Sequence, residues 1–281
     1  PHVEGWPITM SGFYSETLPY VGEGCPASPA LTDLDGDGTL EVACSGMTDW
    51  GSIYNHDGSR RFILGHFSDQ YGPDSNARDE TTVIFVNSMT VADLDNDGVD
   101  EIIDGGLGIG YITSMAKDWE RLEFDHFINA WEAGEESLED GTALMKRGFP
   151  QQVEGLQFFQ NPAVADLDGD NLPEVIEGSG EYILHAFDVD GKVPAGWPKF
   201  VGEWIMASPA AGDIDGDGYI EVIAATRGGW VHAWHSDGRA DTGVGWSSFH
   251  HDSANTGNST TPLPAQAGPT EGDDDDDSAP V

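Results

Sequence analysis

Basic residues are scarce in this chain. It has 11 Lys and Arg against 51 Asp and Glu among 281 residues, which gives a formal net charge of -40. Nucleic acid is bound mainly through cationic side chains that neutralise phosphates, so the charge argues against nucleic acid as a partner. Because so many like charges repel one another, we expect the chain to need cations in order to fold.

Long apolar runs and cysteines are also lacking. No apolar run approaches the ~18 residues that a membrane-spanning helix requires, so we expect no direct membrane insertion. Cys25 and Cys44 are the only two cysteines. They flank an acidic loop and either form a disulfide outside the cell or stay as two buried thiols, and the sequence leaves both alternatives open.

An acidic repeat is what the sequence has in place of these features. Four segments of the type Ser-Pro-Ala-x-x-Asp-x-Asp-Gly-Asp-Gly recur, with leading aspartates at Asp33, Asp93, Asp166 and Asp213. An Asp-Gly pair follows the leading aspartate after 24 residues in the first, third and fourth copies, and an insertion delays it in the second. Spacing that is kept in three copies indicates a structural repeat.

Each repeat reads as short strands joined by turns. A small-residue strand enters the acidic loop, a β-branched strand leaves it, and an alternating strand follows, as in the sequence Tyr182 to Phe187. Repeats of about 45 residues with four strands are typical of β-propeller blades. The sequence therefore predicts an all-β fold: a β-propeller of four-stranded blades with calcium-binding loops, with four recognisable blades that are a whole or part of a larger ring.

The domain assignment follows from the repeat. Residues 1–257 are assigned to propeller repeats and residues 258–281, which end in an acidic run, to a disordered tail or linker. The predicted blades span about 26–61, 86–150, 159–200 and 206–252, with 1–25 as an orphan strand and linker. The orphan is a Gly-Trp-Pro turn at Gly5, a motif that recurs near the end of later repeats, so further blades upstream or from another chain are expected.

The acidic loops carry the chemistry. Alternate residues of a tight loop direct oxygen atoms at one point, and Ca²⁺ accepts ~6–8 oxygen ligands in flexible geometry, whereas Mg²⁺ demands a stricter octahedron. A residue with positive φ is needed at position six, where Gly38, Gly98, Asn171 and Gly218 stand. We expect about four Ca²⁺ ions. The predicted ligands, at positions one, three, five, seven and nine, are Asp33, Asp35, Asp37, Thr39 and Glu41; Asp93, Asp95, Asp97, Val99 and Glu101; Asp166, Asp168, Asp170, Leu172 and Glu174; and Asp213, Asp215, Asp217, Tyr219 and Glu221.

These loops are not EF-hands, because position twelve, where that motif wants a bidentate Glu between two helices, is Cys44, Asp104, Glu177 and Ala224, and strands flank every loop. The pattern Asp-x-Asp-x-Asp-Gly-x-x-Glu between two strands resembles the FG-GAP/VCBS repeats of integrin-α-type propellers and bacterial surface proteins. The resemblance covers roughly residues 26–257. It implies calcium on one face of the propeller, an extracellular or cell-surface location, and a role in adhesion or ligand binding.

The leading functional hypothesis is a non-catalytic binding, adhesion or structural module of a larger secreted or surface protein. Its expected partners are a protein or carbohydrate ligand at the cell surface, or copies of itself in a surface layer or filament. The alternative is a polysaccharide-active enzyme or a lectin, although no Gly-x-Ser-x-Gly or His-Glu-x-x-His motif is present. Trp50, Trp119 and Trp131 do not recur between repeats, which makes them the candidates for stacking on a sugar ring.

Overall fold

The computed structural model describes residues 1–10, 25, 27–46, 51–64, 82–84, 87–108, 126–137, 141–157 and 160–265. Within these ranges the chain forms eighteen β-strands and no helix, in four sheets whose paired strands are antiparallel. The described residues therefore include no helix that would be long and apolar enough to cross a membrane. The all-β class predicted from the sequence is confirmed, and the propeller stays a prediction.

Each sheet corresponds to one repeat, in sequence order. The first sheet contains β1 (Ala30–Thr32), β2 (Glu41–Cys44), β3 (Gly51–Tyr54) and β4 (Arg60–Leu64). The second contains β5 (Thr82–Ile84), β6 (Thr90–Ala92), β7 (Glu101–Gly108), β8 (His126–Ser137), β9 (Ala143–Met145) and β10 (Gln151–Val153). The third contains β11 (Ala163–Ala165), β12 (Glu174–Gly178), β13 (Ile183–Phe187) and β14 (Lys199–Phe200), and the fourth β15 (Ala210–Gly212), β16 (Tyr219–Ala225) and β17 (Val231–Arg239). The last strand, β18 (Val244–Trp246), joins the third sheet.

The same hairpin occurs in every sheet. Its two strands have a common register, in which the residue before the acidic loop pairs with the position-nine glutamate, as Thr32 does with Glu41 and Ala165 with Glu174. The β-branched residues after the loop alternate with the strand period of two, so that their side chains enter the spaces between sheets. Val175 and Ile176 are both fully buried and belong to two different apolar clusters, one on each side of the third sheet. A β-branched strand is thus buried on both faces.

The C-terminal segment holds several sheets together. Strand β18 pairs with β11 of the third sheet. The Ala211 N–H of the fourth sheet donates to the Ser247 carbonyl over 2.8 Å, and the Leu31 N–H of the first sheet donates to the Gly257 carbonyl over 2.7 Å. The chain end therefore supplies backbone partners to the first strands of three sheets.

Part of the segment that the sequence assigns to a tail differs from that expectation. Asn258 forms a parallel bridge with Leu31, and the Ser259 hydroxyl donates to the Asp100 carboxylate over 2.7 Å. A polar composition does not reveal this order, because the contacts use backbone groups of β1 and a carboxylate from a distant loop. Residues 266–281 lie outside the described ranges, as does most of the insertion in the second repeat.

The Gly-Trp-Pro turn at the N-terminus has contacts within the first repeat. The Trp6 indole N–H donates to the His56 carbonyl over 2.9 Å, and a Cβ atom at Gly5 would overlap the backbone of Asp57. The equivalent Gly148 packs in the same way on Asp190 of the following repeat. In these two places the aromatic turn thus packs closely against an Asp-Gly turn.

Candidate metal centre

Four groups of acidic side chains lie at the loops that join the two strands of each hairpin. In each group one possible ligand atom per residue lies within 4.8 Å of every other. The groups are Asp33, Asp35 and Glu41; Asp93, Asp95 and Glu101; Asp166, Asp168 and Glu174; and Asp215, Asp217, Glu221 and His235. Several acidic groups are thus positioned to hold a metal ion.

Backbone hydrogen bonds fix the position-nine glutamate in the same way in all four loops. One of its carboxylate oxygens accepts the N–H of the residue after the leading aspartate, at distances of 2.9, 2.7, 2.6 and 2.8 Å from the first loop to the fourth. Each glutamate stands on the strand that leaves the loop and is almost fully buried. Its second oxygen is then left for the interior of the loop.

The leading aspartate organises the loop nose. The Gly38 N–H donates to Asp33 over 2.9 Å, the Gly98 N–H to Asp93 over 2.9 Å, and the Gly218 N–H to Asp213 over 3.0 Å. Such bonds require the residue at position six to turn its N–H inward.

Position six has the left-handed backbone that the sequence predicts. The φ angle is +87° at Gly38, +91° at Gly98 and +89° at Gly218, and the replacement residue Asn171 adopts +70°. Asn is the side chain after Gly that enters this region most readily, so the third loop keeps the geometry of the others. The N–H of Asn171 donates to Asp166 over 3.1 Å, as the glycines do in their own loops.

Burial makes the glutamates of the first three loops costly to ionise. It raises the pKa of Glu174 to about 8, and the neighbouring carboxylates Asp168 and Asp166 raise it further in the same direction. Burial also raises the pKa of Glu41 and, to about 8, that of Glu101. Without a cation Glu174 holds a proton near neutral pH, so a cation in the third loop would take over the role of that proton.

The donors in the first and third groups are all oxygens. Carboxylate oxygens on a flexible turn suit a hard cation such as Ca²⁺. The residues present therefore fit a metal ion of this class at these loops, and the buried carboxyls with raised pKa values are the observation that supports the fit.

The structure separates the predicted ligands into two kinds. Asp37, Asp97 and Asp170 at position five stand outside the first three groups, where each accepts the backbone N–H of position seven: Thr39 over 2.7 Å, Val99 over 2.8 Å and Leu172 over 2.8 Å. In the fourth loop Asp217 joins the group although it accepts the same bond from Tyr219, and the leading Asp213 does not join. The full ligand assignment stays a prediction.

A further set of residues, which the sequence reasoning missed, stands on the third strand or directly after it. Register pairs Glu101 with Glu132 and Glu221 with His235. Asn55, Asp188 and His235 all follow the leading aspartate of their repeat by 22 residues. This constant spacing is the signal that would have found them. The four repeats thus differ at this position, which is Asn, Glu, Asp or His, and His235 is the one of these residues that joins its acidic group among the described residues.

The second loop already contains a cation. The Lys146 ammonium lies 2.7 Å from an oxygen of Asp95, 2.9 Å from Glu101 and 3.1 Å from Glu132. Burial works to lower the pKa of Lys146, but the hydrogen bond to Asp95 and the charge of Glu101 outweigh it and raise the pKa. At the first loop Arg61 instead contacts Asp35, over 2.7 Å.

Two other sequence expectations concern the cysteines and the tryptophans. Cys25 and Cys44 are both free in the structure, and a hydrogen bond between the two thiols lowers the pKa of Cys25 to about 7 and raises that of Cys44. Trp131 was expected to be available to a sugar, which is wrong, because it pairs with Ile102 and is only 1% exposed. Trp50 and Trp119 lie outside the described residues.

Comparison with known proteins does not identify a family. No family model matches the chain, and no curated protein matches it. Among solved structures, rhamnogalacturonan lyase YesW is 19% identical and has a TM-score of 0.43, over 73% of this chain and 41% of that one. The V. cholerae biofilm matrix protein Bap1 is 19% identical with a TM-score of 0.45, over 83% of this chain and 33% of that one. Bacillus licheniformis rhamnogalacturonan lyase PL11 is 18% identical with a TM-score of 0.43, over 79% and 42%. The chain spans less than half the length of each, and likenesses this distant say nothing about its activity.

Proposed function

We propose that the chain is a calcium-stabilised, non-catalytic module of a secreted or cell-surface protein, with its sheets arranged as β-propeller blades of the FG-GAP/VCBS type. Its role is binding, adhesion or structural support outside the cell. The observation that supports the proposal is the recurrence of one acidic loop in four hairpins, each with a buried glutamate tied to the same backbone N–H.

Calcium would act at these loops by joining the ends of two strands. Each ion offsets the repulsion between clustered carboxylates, so that folding and metal binding are linked. An extracellular medium supplies the millimolar calcium that loops of moderate affinity need. The second loop is the weakest site under this proposal, because Lys146 competes there with the ion.

The test is thermal unfolding of the full chain in calcium and in EDTA, followed by circular dichroism. We expect chelation to lower Tm and calcium to restore it, whereas magnesium at the same concentration restores less. A melting curve that is the same in all three media would refute calcium stabilisation. Ionic strength is matched throughout, because a chain of charge -40 also responds to salt in general.

One observation favours self-association as a second candidate function. In each of the first three sheets a further strand pairs with the strand that follows the hairpin. In the fourth sheet no such strand occurs among the described residues, and β17 is the edge strand. Trp230 and Val231 at the start of β17 are 67% and 70% exposed. A strand with an open edge and exposed apolar residues is suited to pairing with a strand of another chain.

Sedimentation of the full chain over a range of concentrations in calcium tests this candidate. We expect assembly that Val231→Lys weakens, because a lysine at an edge strand opposes pairing. Val193→Lys is the control, since Val193 is 49% exposed but lies in a loop of the third repeat, outside the strands. A chain that stays monomeric at every concentration would exclude self-assembly as its function.

A polysaccharide-active enzyme or lectin is the remaining alternative carried from the sequence. A screen of acidic and neutral polysaccharides for cleavage, together with a glycan array, separates it from the leading proposal. Cleavage of any polysaccharide would replace the non-catalytic proposal, whereas binding without cleavage would make the module a lectin.

A further inference from the structure

The fourth loop differs from the other three in the chemistry of its donors. In the fourth loop His235 joins Asp215, Asp217 and Glu221, and it adds a nitrogen ligand to the carboxylates. The other three groups in the described part of the chain contain carboxylates alone. The equivalent position carries an amide at Asn55 and a carboxylate at Asp188.

The imidazole lies across the mouth of the loop. Its Nδ1 atom is 2.7 Å from Oε1 of Glu221, and its Nε2 atom is 3.9 Å from a carboxylate oxygen of Asp215. Cross-strand pairing of His235 with Glu221 fixes this placement, because β16 and β17 hold the two residues opposite each other. His235 itself is 66% exposed in its side chain, so an ion can reach it from solvent.

Glu221 carries a second, independent sign of a missing ligand. The residue is 2% exposed, and its Oε2 atom accepts the N–H of Ile214 over 2.8 Å. Its Oε1 atom is buried, has no hydrogen-bond partner among the described residues, and lies 2.7 Å from Nδ1 of His235. A buried carboxylate oxygen without a hydrogen-bond donor needs a compensating partner, and a cation bound between it and the neighbouring imidazole would supply one.

We propose that the fourth loop is a mixed imidazole–carboxylate site that binds a borderline transition-metal ion, with Zn²⁺ as the representative, through His235, Glu221 and the aspartates Asp215 and Asp217. This inference rests on the proposed function, because it assumes that the loops are metal sites. It differs in assigning one loop to another class of ion.

The preference follows from the ligand types. Imidazole nitrogen binds Zn²⁺ and its neighbours in the transition series much more strongly than it binds Ca²⁺, and zinc is satisfied by four nitrogen or oxygen donors. The first and third groups offer oxygen donors alone and lack this preference. A chain with several loops of one backbone design would thereby distinguish two classes of ion by one side chain.

The experiment is calorimetric titration of Zn²⁺ into the full, metal-free chain after saturation with excess calcium, so that the oxygen-only loops are filled. We expect one equivalent of zinc to bind. The variant His235→Asn, which installs the residue type of the first loop, should weaken that binding by about 10–100-fold or more. The matched control is His232→Asn on the same strand, outside the group, and it should leave zinc affinity unchanged.

Two results would overturn the inference: a wild-type chain that takes up no zinc in excess calcium, or a His235→Asn variant with undiminished affinity. Melting curves of the same three proteins in calcium and EDTA keep this failure distinct from failure of the calcium proposal. If calcium still raises Tm while zinc binding does not depend on His235, the inference alone is wrong. Loss of both effects would remove the proposed function as well.

Discussion

Replacement of Lys146 by Met is the sharpest test of how the second loop is held together. The two side chains are of similar length, but methionine brings no charge to Asp95, Glu101 and Glu132. Lys146 and Glu101 are 4% and 1% exposed in their side chains, so this pair is almost entirely shielded from solvent. Asp95 and Glu132 are 34% and 40% exposed, and water screens their share.

The expected loss is dominated by the Lys146–Glu101 pair. Removal of one partner from a buried ion pair costs about 3–5 kcal/mol, because the other charge stays buried without compensation. We therefore expect Lys146→Met to lower the free energy of unfolding by about 3 kcal/mol in EDTA. Without the lysine the second loop resembles the third, so calcium can take the vacated position. At a calcium concentration of 100 times Kd, binding would return about 2.7 kcal/mol.

Urea unfolding in EDTA and in calcium, with fluorescence detection, measures both numbers. Calorimetry should also show one more calcium ion bound by the variant than by the wild type. Lys192→Met is the control, because its pair with Asp190 is exposed and should contribute less than about 1 kcal/mol in either medium. If Lys146→Met lowers the free energy of unfolding equally in both media and binds no more calcium than the wild type, the lysine does not stand in for a metal.

Three further predictions concern other parts of the fold. Gly148→Ala should destabilise the chain by more than Gly141→Ala: both glycines have positive φ, but a Cβ at Gly148 would overlap the Asp190 carbonyl and one at Gly141 meets nothing within 4 Å. Equal urea midpoints for the two variants would contradict this packing. Glu177→Gln should make the free energy of unfolding in EDTA less dependent on pH, because the variant lacks one group that takes up a proton on folding. Burial raises the pKa of Glu177 well above its ordinary value, so the unfolded chain releases a proton first and stability falls by about 1.4 kcal/mol per pH unit as pH rises above ~4.5; an unchanged slope would refute this. Cys25, whose pKa is lowered to about 7, should be alkylated by iodoacetamide before Cys44, whose pKa is raised; peptide mass spectrometry that finds the reverse order would refute the assignment.

The sequence is sufficient for the features that are local. Position six of each loop needs a positive φ whatever surrounds it, so Gly98 and Asn171 could be assigned from spacing alone. The hairpin strands follow from the β-branched residues after each loop, and the all-β class follows from their recurrence. These features depend on a few neighbouring residues, which is why they could be read without tertiary structure.

The non-local features could not be read in this way. Lys146 reaches the second loop from a distant part of an irregular repeat, where the insertion removes the spacing that would have flagged it. Trp131 fails to recur because it belongs to the lengthened strand β8, and lack of recurrence was taken for exposure although the side chain is buried. His235 was accessible through its constant spacing, but the acidic pattern drew attention to carboxylates alone.

The hydrogen bond between Leu31 and Gly257 joins β1 to a segment that is distant in sequence. The edge of β1 obtains this backbone partner only after residue 257 has been synthesised. Contacts of such long sequence separation slow folding, since the loop that they close must be ordered first. The first of the four sheets is therefore among the last of them to be completed, because β1 lacks this partner until the segment around Gly257 is in place.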